Sequence, residues 1–168
     1  DGPLAEASFQ DPQGMVLDGD TLYVADNLNH MVRKIDLKAG QVTTIAGTGK
    51  ILTSYTSLRG RSSAPTRYAL SNPWDLTLVG DRLYIAMAGT HQIAVLNFST
   101  NSIAPYAGNG VEDVRDGSLA KSCLAQPSGM ATDGKHLFVV DSEGSSLRAI
   151  TLPPGNSVGT LVGTTGLP

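Results

Sequence analysis

The chain has 168 residues, of which 40% are hydrophobic and 16% are charged, and it contains 19 glycines and 9 prolines. Few charges combined with many turn-forming residues favour short strands joined by tight turns over helices. The net charge of −3 disfavours nucleic acid as a partner, because phosphates require a basic surface, and no run of ~18 apolar residues is present to span a membrane.

The residue types that usually carry chemistry are sparse. The single cysteine, Cys123, excludes a disulfide within the chain and a multi-thiolate metal site. No phosphate-binding loop, HExxH, GxSxG or EF-hand motif occurs, so no cofactor is expected. Arg59, Arg61 and Arg67 lie in one stretch, which we interpret as a solvated loop. The compartment is left open, with the cytoplasm favoured.

One sequence unit, which begins near Pro12, occurs three times along the chain. Residues 12–26 align without a gap with residues 73–87 and 127–141, so the anchoring prolines are 61 and 54 residues apart. Asp18-Gly19 and Asp133-Gly134 are typical of tight hairpins, because glycine accepts a positive φ without strain. The first unit therefore predicts four short strands, at 14–17, 22–25, 31–36 and 42–46.

A four-stranded antiparallel meander has two faces that must be covered. Radial repetition buries each face against the next unit, which is the arrangement of a β-propeller. The sequence therefore predicts an all-β fold of three four-stranded antiparallel blades, half of a six-bladed ring. The predicted segments are blade 1 at about 9–49, an insert at 50–69, blade 2 at about 70–110, a linker at 111–123 and blade 3 at about 124–164.

Three blades do not close a ring of the usual ~4–8 blades. Two apolar blade faces would then be left exposed, which soluble monomers avoid. Two hypotheses follow: the chain is a fragment of a longer propeller, or two copies meet edge to edge with two-fold symmetry. For the chain on its own we expect a homodimer that completes a six-bladed ring.

The segment between the second and third strands carries a family resemblance. Residues 25–36 read Ala-Asp-Asn-Leu-Asn-His-Met-Val-Arg-Lys-Ile-Asp, a strand, a polar loop that ends in Asn-His, and a strand with an apolar-Arg-x-apolar pattern. This resembles the NHL repeats, and the likeness extends over all three units. It implies an NHL-type propeller, closest to those that follow a thioredoxin-like domain. The chain has no CxxC motif, so no redox activity is assigned to it.

The polar loops after the second strands supply most candidate binding residues. Equivalent loops lie at one end of a propeller, where His side chains from several blades could hold Zn²⁺. This resembles the NHL-type amidating lyases and would imply a metal-dependent lyase or hydrolase, but Ser145 replaces the third histidine. The preferred alternative is that Asp and Asn cap their own loops, while His30 and His91 hydrogen-bond between blades. The loop candidates are Asp26, Asn29, His30, Met87, His91, Asp141 and Glu143.

Trp74 and Asp75 distinguish the second unit, since the other units have Gln or Ser followed by Gly at these positions. First strands line the central channel, so an aromatic ring and a carboxylate there could bind a ligand. The alternative is structural, with Trp74 filling a gap between blades and Asp75 binding a backbone N–H group or an arginine. Arg33 and Arg148 share one repeat position, where we expect a carboxylate partner from a neighbouring blade.

The sequence favours a non-enzymatic binding module that recognises a protein or peptide on one rim of the propeller, with variable loops on rigid blades. The metal-dependent enzyme and an RNA-binding module remain alternatives, the latter weakened by the negative net charge.

Overall fold

A computed structural model of the protein describes residues 1–52 and 62–165. Its strands form three antiparallel sheets, each with its four blade strands adjacent in chain order. This confirms the predicted all-β propeller architecture of three meanders. The strands are β1 (Gly2–Pro3), β2 (Pro12–Asp18), β3 (Thr21–Asp26), β4 (Met31–Asp36), β5 (Gln41–Ala46), β6 (Pro73–Val79), β7 (Arg82–Met87), β8 (Gln92–Asn97), β9 (Ser102–Ala107), β10 (Pro127–Thr132), β11 (His136–Asp141), β12 (Ser146–Thr151) and β13 (Val158–Val162).

Blade 1 consists of β2–β5, blade 2 of β6–β9 and blade 3 of β10–β13. The short strand β1 was not predicted, and it pairs with β5 as a fifth strand of the first sheet. Two 3-10 turns, Pro65–Arg67 and Ala88–Thr90, are the helical elements in the described ranges. Arg59 and Arg61 lie outside these ranges. No helix among the described residues is long and apolar enough to cross a membrane.

The repeat extends to the backbone itself. The first hairpin of each blade turns through a glycine with positive φ, at Gly19, Gly80 and Gly134. The residue just before the third strand is left-handed in every blade, with φ of 52° at His30, 55° at His91 and 44° at Ser145. The pairing of first and second strands shifts register after the anchoring proline in all three sheets. The three blades therefore share one backbone conformation although their side chains differ.

Two apolar clusters join the blades. We call the face that a blade turns toward the next blade its outgoing face, and the opposite face its incoming face. The outgoing face of each blade supplies an aromatic ring together with smaller apolar side chains, and the incoming face of the next supplies mostly branched aliphatic side chains. The first cluster joins Tyr23, Ala25, Val32 and Ala46 to Leu76, Leu83, Ile85, Met87, Ala94, Leu96 and Ile103, and the second joins Tyr84, Ala86, Ile93 and Ala107 to Leu137, Val139, Ile150, Leu152 and Val158.

The segment that precedes each blade packs against that blade's own outer strand. Gly2 pairs with Val42 in blade 1, and the equivalent Gly117 forms a bridge with Val158 in blade 3. These segments bring an aspartate, Asp1 or Asp116, beside the arginine of the third strand. Cys123 is fully buried within the second of these segments.

Candidate functional site

The first strands β2, β6 and β10 lie side by side and line an open cavity of about 400 Å³. Trp74 on β6 is 38% exposed there, so it lines the cavity and does not fill a gap between blades. Polar side chains of blades 1 and 3, Gln13 and Ser128, line the same cavity. The lining is completed by Gly14, Asp75, Gly129 and Val140. The cavity combines one large aromatic ring with hydrogen-bonding groups, as ligand sites commonly do.

Asp75 joins the first strands of two blades. Its Oδ2 accepts a hydrogen bond from the Met130 backbone N–H at 2.7 Å, across the gap between β6 and β10. Its Oδ1 accepts the N–H of Leu76 at 2.8 Å. Burial raises the pKa of the Asp75 carboxyl, and these two hydrogen bonds oppose that rise. The structural alternative of a backbone N–H partner for Asp75 is confirmed.

Arg33 and Arg148, which occupy the same position of the repeat, are buried within their own blades. Arg148 donates to Asp141 Oδ2 at 3.1 Å and to the Cys123 carbonyl oxygen at 2.9 Å, and its second amino group reaches Asp116 at 2.9 Å. Arg148 and Asp141 are both fully buried. The expectation of a carboxylate from a neighbouring blade is therefore wrong, because Asp141 lies on the adjacent strand of the same sheet.

Blade 1 repeats this arrangement. Arg33 Nη1 is 2.8 Å from Asp26 Oδ2 and 3.1 Å from the carbonyl oxygen of Ser8, and Nη2 is 2.9 Å from Asp1. Asn29 donates to the same Asp26 oxygen at 2.9 Å. Asp26 thus belongs to a buried ion pair, and a side chain so enclosed does not present its carboxylate to a ligand.

In blades 1 and 3 this aspartate binds the segment that precedes the blade, and the expectation that it caps its own loop is wrong. Asp26 Oδ1 accepts the backbone N–H of Gln10 at 2.8 Å. Asp141 Oδ1 accepts those of Ala125 and Gln126 at 2.8 and 2.7 Å. These bonds satisfy backbone donors that would otherwise be buried without a partner.

Blade 2 has two apolar residues in place of the ion pair. Met87 occupies the position of Asp26 and Asp141, and Ala94 that of the arginines. Both are fully buried in the first apolar cluster together with Tyr68 of the preceding segment. Met87 therefore does not contact a ligand in this fold. Burial raises the pKa of Tyr68 to about 12, so its hydroxyl stays protonated.

Asp116→Asn is expected to destabilise the protein at neutral pH by less than about 1 kcal/mol, since the carboxylate is partly exposed. Burial raises the pKa of Asp116, but hydrogen bonds from Thr160 and Arg148 outweigh it and lower the pKa overall. A carboxyl group with a lowered folded-state pKa stabilises the fold above its unfolded pKa, and this stabilisation is lost as pH falls through the folded value. Urea unfolding of both proteins from pH 7 to 3 checks this, and a difference that did not shrink in acid would contradict it.

The two loop histidines link neighbouring blades, which confirms the prediction that they hydrogen-bond between blades. His30 Nδ1 accepts the N–H of Asn72 at 3.2 Å, and burial lowers the pKa of His30, which keeps it neutral. His91 Nδ1 lies against the carbonyl oxygen of Ala125, so in this ring the same nitrogen carries the proton and donates. Nδ1 therefore accepts a hydrogen bond in His30 and donates one in His91, and each bond joins two blades.

Glu143 and Glu112 form an acidic pair beside His91 that the sequence did not reveal. Glu112 lies in the linker before blade 3, and its Oε2 is 3.9 Å from His91 Nε2. A hydrogen bond and repulsion from Glu112 raise the pKa of the exposed Glu143. Within residues 1–52 and 62–165, no three His, Cys, Asp or Glu side chains are grouped to hold a metal ion.

The structure therefore divides the nine predicted binding residues. Asp26, Asp141 and Met87 are fully buried. Asn29 and His30 are engaged in contacts within and between blades. Those with an accessible surface near a cavity or at the rim are Trp74, Asp75, His91 and Glu143.

Comparison with known proteins agrees with the fold and the repeat. The chain is 36% identical over 179 residues to NHL repeat-containing protein 2 of Homo sapiens, covering 92% of this chain and 24% of the human protein. It is 38% identical over 164 residues to Protein SUPPRESSOR OF QUENCHING 1, chloroplastic, of Arabidopsis thaliana, covering 94% of this chain and 15% of that protein. The chain thus spans a quarter or less of these relatives.

Solved structures show the same fold at lower sequence identity. A structural genomics protein of unknown function from Bacteroides thetaiotaomicron VPI-5482 superposes with a TM-score of 0.69 at 20% identity, over 94% of this chain and 37% of that one. An auxiliary nutrient binding protein from Bacteroides ovatus ATCC 8483 gives 0.69 at 16% identity, over 94% and 39%. No protein-family model matches the chain. The similarity to the curated relatives, the gapless repeat and the three radial sheets together show that the chain belongs to the NHL-repeat β-propellers.

Proposed function

We propose that this propeller module recognises a peptide or protein segment at the mouth of its central channel, with Trp74 as the anchor. The observation that carries the proposal is the exposure of this one large aromatic side chain in the cavity between the three first strands. Tryptophan is enriched among the residues that dominate binding energies, because it buries a large area at little entropic cost. No catalytic step is needed for this function.

The groups around Trp74 suit an extended backbone. Gln13 lines the cavity with an amide that can donate and accept, and Ser128 with a hydroxyl oxygen that can accept, since its own proton is donated to the Val140 carbonyl oxygen. A cavity volume of about 400 Å³ lies within the range of ligand sites, and it fits one or two side chains of a partner. The hydrogen bond from Met130 to Asp75 ties the first strands of two blades together at the cavity, which limits the entropy lost on binding.

Trp74→Ala is expected to weaken binding of a selected peptide about 10- to 100-fold, because a central aromatic anchor contributes roughly 1.4–3 kcal/mol or more. Peptides would be selected from a random phage-displayed library against the purified protein and titrated by isothermal calorimetry. As Trp74 is the only tryptophan, the fluorescence of the unmodified protein reports directly on this site.

Leu28→Ala is the matched control, since Leu28 is also an exposed apolar residue but lies outside the cavity. It should bind the selected peptides as the unmodified protein does. Thermal unfolding of Trp74→Ala separates a lost contact from a lost fold. Peptides whose affinity is equal in a folded Trp74→Ala variant and in the unmodified protein would show that the proposed anchor is wrong.

A further inference from the structure

The cavity between the first strands holds a negative charge that has no counter-charge. Of the described side chains that line it, Asp75 alone is charged. Its carboxylate forms no ion pair with any lysine, arginine or histidine of residues 1–52 and 62–165, whereas Asp26 and Asp141 are each paired with a buried arginine. A half-buried carboxylate is costly without a cation beside it, so a cation that entered the cavity would be stabilised there.

A β-bulge brings an aromatic ring to the same cavity as this carboxylate. Consecutive residues of a regular strand point to opposite faces of the sheet. The pairing of β6 with β7 shifts register between Pro73 and Asp75, which makes Trp74 the extra residue of the bulge. Both Trp74 and Asp75 therefore line the cavity. The bulge recurs in blades 1 and 3, but there it carries glutamine or serine followed by glycine.

The two neighbouring blades hold the carboxylate of Asp75 in place. Its Oδ2 accepts the Met130 N–H of blade 3 at 2.7 Å. Its Oδ1 lies against Gly14 of blade 1, where a Cβ would occupy the space of the carboxylate oxygen. Burial raises the pKa of Asp75, and the two backbone hydrogen bonds that lower it supply partial charges only. The carboxylate is thus fixed by packing on both sides but is neutralised by neither blade.

We propose that Trp74 and Asp75 together bind a cationic side chain, arginine or lysine, of the segment that occupies the cavity, an inference that rests on the proposed peptide-binding function. Tryptophan is the aromatic residue that attracts cations most strongly, and the carboxylate adds a charge-assisted hydrogen bond. Gln13 and Ser128 supply further acceptor oxygens, since the Ser128 proton is donated to the Val140 carbonyl oxygen. The lining therefore complements a group that carries positive charge and several N–H donors.

Peptides selected from the random library test the proposal. Those whose affinity depends on Trp74 should contain at least one arginine or lysine. Resynthesis with citrulline in place of that arginine, or norleucine in place of that lysine, keeps the approximate shape and removes the charge. We expect binding to weaken about 10-fold, because the cation–π contact and the attraction to the carboxylate are both lost. Isothermal calorimetry on the purified protein measures the ratio of the two affinities.

Asp75→Asn should reduce this ratio to roughly 2- to 5-fold, the part that the cation–π contact with Trp74 retains. The ratio compares two peptides on one protein, so a loss of stability in the variant does not alter it. Gln13→Lys is a second variant that leaves Asp75 unchanged. It should also lower the ratio, because its ammonium group competes for the carboxylate, and Gln13→Met should lower it less because it adds no charge.

The possible outcomes separate this inference from the function on which it rests. Trp74-dependent peptides that contain no basic residue, or that bind equally well with arginine and citrulline, would overturn the cation site and leave the peptide site standing. An unchanged ratio in both folded Asp75→Asn and folded Gln13→Lys would show that the carboxylate takes no part. A library that gives no Trp74-dependent peptide would overturn both proposals.

Discussion

Asp141→Met is expected to lower the free energy of unfolding by about 3–5 kcal/mol, the cost of leaving one member of a buried ion pair without its partner. Arg148 would keep its bonds to Asp116 and to the Cys123 carbonyl oxygen but would lose its one fully buried counter-charge. The backbone N–H groups of Ala125 and Gln126 would lose their acceptor as well. Chemical denaturation followed by circular dichroism measures the loss.

The double variant Asp141→Met, Arg148→Ala is the matched comparison, since it installs the residues that blade 2 carries at these positions, Met87 and Ala94. It should be more stable than Asp141→Met alone, because no buried charge is left without a partner. The two backbone donors still lose their acceptor, so recovery should be partial. If the arginine replacement added its own loss to that of the first change, the ion pair would not be the source of the cost.

Gly14→Ala should destabilise the protein by about 1–3 kcal/mol or more, because the site has no room for a methyl group. A Cβ at residue 14 would lie 2.7 Å from the Cα of Asp75, and closer still to its carboxylate. Since the obstacle includes backbone, a side-chain rotation does not relieve it. The bond from Met130 to Asp75 should weaken too, as the first strands are pushed apart. Thermal and urea unfolding measure the total loss of stability from the clash and the weakened hydrogen bond.

Gly129→Ala is the control at the equivalent position of blade 3. A Cβ there would meet Val140 at 3.6 Å, an ordinary contact, so the change should be neutral or stabilise by roughly 0.4–1 kcal/mol through the unfolded chain. A combined Gly14→Ala, Asp75→Gly variant should regain part of the loss, since the carboxylate obstacle is gone. Equal behaviour of the two alanine variants would contradict the account of blade packing at the channel.

The strands and their order were accessible from sequence because both are local or repetitive properties. Alternation of apolar residues defines strands, a glycine after aspartate marks the first hairpin of blades 1 and 3, and a gapless repeat requires equivalent blades. The role of His30 and His91 between blades followed from their place at the end of a loop. The short strand β1 was missed, since two residues carry no periodicity, and they pair only because β5 offers a free edge.

The accessibility of each polar side chain was decided by the tertiary structure. The sequence predicts that Asp141 is a loop residue that could bind a ligand, yet in the structure a linker segment and Arg148 enclose it completely. Glu112 reads as an ordinary linker residue, yet the linker brings it beside Glu143. Alternation along a strand assigns a side chain to a face, but the segment or blade that packs on that face determines whether it meets a ligand, an ion-pair partner or solvent. Trp74 is accessible because the first strands of the three blades leave a cavity open between them.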